Sequence, residues 1–72
     1  MKGKKFFSSG EISEIKHLLN HLPNSSKAEK KKIRDTLRNL EFYITDYDQS
    51  YSGFTLENFE QLLESNIIIT SD

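Results

Sequence analysis

Apolar residues in the first third of the chain recur at helical spacing. Ile12, Ile15, Leu18, Leu19 and Leu22 fall on one helix face with polar residues between them. The segment opens on Ser8-Ser9-Gly10-Glu11, which fits the S-x-x-E capping box, where hydroxyl and carboxylate satisfy orphan N–H groups of the first turn. A phenylalanine ahead of the cap, Phe6 or Phe7, is placed to fold back as a hydrophobic staple. Pro23 ends this helix, because it restricts the residue before it and has no N–H to give. After the turn at Pro23-Asn24-Ser25-Ser26, the run Ser26-Lys27-Ala28-Glu29 is a second capping box. It predicts a helix from Lys27 to about Asn39. The apolar stripe there is narrow, consisting of Ile33, Leu37 and Leu40, and such a stripe buries one edge and leaves most of the helix wet.

The period then changes. Leu40, Phe42 and Ile44 alternate with Glu41, Tyr43 and Thr45, as in a half-buried strand; the rival reading continues the second helix through Phe42. Asp46 to Gly53 is a polar, Tyr-rich loop. Thr55 is placed to cap a third helix, Leu56 to about Ser65, with Glu57 in its first turn and Leu56, Phe59, Leu62 and Leu63 facing the core. Asn66 is a candidate left-handed C-terminal cap, and Ile67-Ile68-Ile69-Thr70 reads as a last strand. The pattern predicts a mainly α single domain over 1–72: three helices, with two short strands around the third as an option, in the order α-α-β-α-β. Two strands alone are marginal, so they would have to pack on the helices. The expected core is Ile12, Ile15, Leu18, Leu19, Leu22, Ile33, Leu37, Leu40, Phe42, Phe59, Leu62, Leu63 and Ile68.

Charge changes this picture most. All ten cations lie in residues 1–38, against four carboxylates, a sum of +6. Residues 39–72 carry seven carboxylates and no cation, a sum of −7, so the net −1 conceals a bipolar chain. Such asymmetry points to a charged partner or to self-association. On the second helix Lys27, Lys31, Arg34 and Arg38, spaced i, i+4, i+7 and i+11, lie within about 60° of one another and form one cationic stripe. Like charges four apart repel by a few tenths of a kcal/mol, which argues that the stripe meets anions. Lys2, Lys4 and Lys5 ahead of Phe6 and Phe7 predict a flexible basic arm over 1–7.

Other constellations carry less. Tyr43, Tyr47 and Tyr51 are expected to line one surface, tyrosine being favoured at interfaces for its apolar body and polar tip. Glu14, His17 and His21 share a polar helix face, yet nothing completes a zinc set. The stretch from Asp46 to Glu57 resembles a calcium-binding EF-hand loop in its spaced Asp46 and Asp48 and in Glu57 at the twelfth position. It departs from that pattern with Tyr51 at the sixth position, where glycine belongs, and Gly53 at the eighth, so no metal is predicted. No Cys, no Gly-rich phosphate loop and no nucleophile motif occur. The sequence therefore predicts no enzyme, no cofactor and no small-molecule substrate. Without cysteine, a membrane span or a leader, it reads as cytoplasmic. The expected function is a non-catalytic protein-interaction or regulatory module, binding a protein partner or itself through Lys27, Lys31, Arg34, Arg38, Tyr43, Tyr47 and Tyr51. The alternative is nucleic-acid binding through the same stripe and the N-terminal lysines.

Overall fold

The computed structural model describes residues 3–47 and 54–71. Five elements run β1 (Phe6–Phe7), α1 (Ser9–His21), α2 (Lys27–Asn39), α3 (Leu56–Glu64) and β2 (Ile69–Thr70), with short 3₁₀ turns at Leu22–Asn24 and Ile44–Asp46. The domain is mainly helical, with three helices and two short strands. All three helix starts follow the local signals. Ser8, Ser26 and Thr55 each accept the N–H three residues on, and Glu11, Glu29 and Asn58 reach back to the cap N–H to complete three capping boxes.

The helix ends are equally specific. At the end of α2 the Phe42 N–H donates to Leu37 O and the Glu41 N–H to Arg38 O, the two bonds of a Schellman motif. Glu41 stands at its left-handed position, with φ 64°. α3 closes in the same way: Ile67 N–H donates to Leu62 O, Asn66 N–H donates to Leu63 O, and Asn66 has φ 59°.

The first strand is not where alternation placed it. Residues 42–45 form no strand, because the Phe42 N–H is taken by the Schellman bond and the Tyr43 and Ile44 carbonyls accept from Asp46 and Tyr47 in a 3₁₀ turn. β2 pairs with β1 instead, in parallel, with Phe6 opposite Ile69 and Phe7 opposite Thr70. The order is therefore β-α-α-α-β, and the helices form the crossover that a parallel pair requires.

This pairing also corrects the flexible arm. From Gly3 onward the N-terminal segment is docked. Gly3 N–H donates to the Asp46 carboxylate (2.9 Å), Lys4 N–H to Glu41 O, Ile69 N–H to Lys5 O and Ser71 N–H to Phe7 O. Phe7 is fully buried, and its burial explains why the segment stays down. A Cβ on Gly3 would overlap Glu41 O, so only glycine allows this close approach.

The core gathers on α1, which packs against both α2 and α3. Ile12, Ile15, Leu19, Leu37, Phe42, Phe59 and Ile68 are buried as expected, joined by Phe7, Ile44 and Phe54. Leu18, Leu22, Ile33, Leu40, Leu62 and Leu63 pack around them, half-buried. Phe42 is the hub: the rings of Phe7, Tyr47, Phe54 and Phe59 all lie within 5.3–6.2 Å of its own.

Candidate partner-binding surface

α2 buries Leu37 and half-buries Ile33, which turns its cationic side to solvent. Lys27, Lys31 and Arg38 are exposed and Arg34 is half-buried. The Arg34 Nε–H donates to Lys30 O (3.4 Å), which lays the guanidinium along the helix. Arg38 approaches Asp35 at 3.4 Å within α2, and an exposed pair of this kind contributes little. Lys27 and Lys31 make no ion pair among the described residues.

Among the described residues, the carboxylates of α3 do not pair with Lys27 or Lys31. Glu57, Glu60 and Glu64 are exposed on α3, which packs on α1, and they pair with no cation among the described residues. Among the described residues, the lysine in an ion pair with carboxylates is Lys4. Its Nζ lies 3.0 Å from Glu11 and 3.7 Å from Glu41, and 5.0 Å from the centroid of the Phe7 ring. The Ser8 N–H and then Lys4 hold the Glu11 carboxyl below its ordinary value of 4.5. Glu29 is lowered likewise, by its capping bonds with Ser26.

The structure separates the tyrosines that the sequence grouped. Tyr43 borders a narrow crevice with Arg34, Arg38 and Phe42, and so belongs to the cationic side. Tyr47 stacks on Phe42, at 5.7 Å between ring centroids with 24° between planes, and borders a different cleft of about 310 Å³ with Phe54 and Ile67. Burial, with Asp46 adjacent, pushes the Tyr47 phenol up. Tyr51 lies outside the described residues.

Sequence reasoning missed Lys30. It lies about 40° around the helix from Arg34, at the border of the apolar stripe. There it joins Arg34 on the wall of a cleft of about 260 Å³ whose floor includes Leu22, Ile44 and Phe54. Helical phase alone could have found it, but Ile44 and Phe54 come from distant stretches of chain.

His17 and His21 meet edge to face at 4.5 Å on exposed turns of α1. Among the described residues, no group of three or more His, Asp or Glu side chains is gathered to hold a metal ion. No described helix is long and apolar enough to cross a membrane. No protein-family model, curated protein or solved structure matches the chain.

Proposed function

We propose that the chain is a non-catalytic interaction module that docks an acidic protein surface on the cationic face of α2. The observation that carries this reading is the placement of the acidic helix: α3 packs on α1 and leaves Lys27, Lys31 and Arg38 facing solvent. A charged face of this kind steers encounter and selects partners by complementarity, more than it supplies raw affinity. The cysteine-free composition suits a cytoplasmic setting. Nucleic acid is the weaker reading of the same face, since docking of Lys4 onto Glu11 and Glu41 takes a cation from the arm that would assist it.

The test is a charge reversal, Lys27→Glu with Lys31→Glu. Partners captured at low salt by the unmodified protein are identified, purified and titrated against both proteins. The expected result is a salt-sensitive complex with an acidic protein, or with a second copy by sedimentation, that the double variant loses while its helical circular dichroism is unchanged. A complex indifferent to the reversal defeats the reading. A low-salt oligonucleotide shift abolished by the same reversal, with no protein complex, replaces it with the nucleic-acid reading.

A further inference from the structure

His17 and His21 stand one turn apart near the end of α1, both exposed, with their ring centroids 4.5 Å apart and 72° between planes. Neither ring takes part in a hydrogen bond or ion pair among the described residues, and each has the other ring as its neighbour. The backbone beneath them is fixed. Ile15 and Leu19, on the far side of the same turns, are 0% and 1% exposed and anchor α1 in the core. The Leu22 N–H donates to Leu18 O and the Ser25 hydroxyl to His21 O (2.8 Å), so the last turn of α1 is held rather than frayed. Residues four apart on a helix keep their Cβ atoms about 5–6 Å apart, so the pair exists only while α1 is folded.

This spacing suits a metal ion that takes one nitrogen from each ring. An ion about 2.0 Å from a nitrogen of each imidazole, with a right angle between the two bonds, sets the ring centroids about 4.5 Å apart. The observed separation is the same, and the broad χ2 of histidine lets each ring turn a nitrogen towards the shared point. A right angle belongs to tetragonal coordination, the geometry of Cu(II) and Ni(II), whereas tetrahedral zinc needs the rings about 5 Å apart. The pair lies at the edge of a cleft of about 400 Å³ between α1 and α2, whose opposite wall carries Glu29 and Lys32, one charge of each sign. Glu29 is engaged in its capping bonds with Ser26, and among the described residues no third His, Asp or Glu joins the two rings. Two nitrogens are therefore offered, and water fills the other positions.

We propose that His17 and His21 form a two-imidazole site for a borderline divalent transition-metal ion, Cu(II) most tightly and Ni(II) and Zn(II) less so, chelated on the folded helix. The order follows the general preference of nitrogen sites for copper over its neighbours. Chelation strengthens the site because the second ring is already in place once the first has bound. The site is independent of the docking face on α2.

The experiment titrates the full chain with Cu(II), Ni(II) and Zn(II) by calorimetry, beside His17→Asn and His21→Asn, with unchanged folding of both variants read by circular dichroism. One ion per chain is expected, with affinity falling about tenfold or more in either variant. The electron paramagnetic resonance of the Cu(II) form should show a tetragonal signal split by two ring nitrogens, and the variants should lose one or both. A metal that binds the folded helix alone raises the melting temperature; both variants should lose that rise, and Mg(II), which takes oxygen ligands, should give none. Ser13→His added to His17→Asn keeps two histidines but sets them eight residues apart, about 12 Å along the helix, and should not restore binding. Four results overturn the site: no Cu(II) binding, affinity unchanged in either single variant, an equal rise with Mg(II), or affinity restored by the displaced histidine.

Discussion

Glu41 is the residue at which local preference and fold disagree most openly. It occupies the left-handed position of the Schellman motif that ends α2, where a side chain costs about 1–2 kcal/mol that glycine avoids. Its carboxylate gains little in return, lying exposed and 3.7 Å from Lys4. Glycine also loses more unfolded-state entropy on folding, which offsets part of the gain. Glu41→Gly should therefore stabilise the domain by about 0.5–1 kcal/mol, read as a rise of a few degrees in melting temperature. An unchanged or lower melting temperature would show that the α2 end is not held in this conformation. The same residue explains why the turn was illegible in the sequence. Asn66 announces a left-handed cap at the end of α3, but a glutamate gives no such notice, and the alternating apolar residues after it read as a strand.

At the scale of elements, legibility follows the sequence distance over which each signal acts. Each capping box is complete within four residues: those read at Ser8–Glu11 and Ser26–Glu29 appear where the sequence puts them, and at Thr55, read as a cap alone, Asn58 completes a third. The cationic stripe is a matter of helical phase alone, and was equally plain. The β1–β2 pair is the opposite case, since Phe6 and Phe7 find Ile69 and Thr70 at the far end of the chain and nothing near them advertises it. Phe7 therefore looked like part of a frayed arm although it is buried completely, whereas Phe6, beside it, is 54% exposed. The two positions test the clasp. Phe7→Ala should cost about 3–5 kcal/mol, a large share of the stability of so small a fold. Phe6→Ser should stay within about 0.5 kcal/mol. Denaturant titration of the two variants gives the comparison, and equal, small losses would mean that the N-terminal segment does not dock.

For the whole molecule, the clasp ties folding to the ionisation of a few carboxylates. The N-terminal segment is tethered by Gly3 N–H to Asp46, by Lys4 to Glu11 and Glu41, and by Ser8 N–H to Glu11, while Phe7 between them fills the core. Glu11 is lowered by the Ser8 N–H and by Lys4, and Glu29 by its bonds with Ser26. A carboxyl with a depressed folded value binds fewer protons folded than unfolded, so stability rises with pH across the interval between the two values. The contribution is fully present above the ordinary value of 4.5 and is lost as pH falls through the lower folded values. Acidification should thus weaken the domain, beginning near that ordinary value. Glu11→Gln should lower stability at neutral pH, removing the Lys4 ion pair and the charged cap together, and should flatten the decline in acid. Denaturant midpoints followed across the acid range for both proteins provide the measurement. Parallel curves would mean that Glu11 carries none of the dependence, and a domain that gains stability on acidification would reverse the sign argued here. Acid should therefore loosen the clasp through the carboxylates, so fold stability and partner binding can be perturbed separately, one through Glu11 and the other through Lys27 and Lys31.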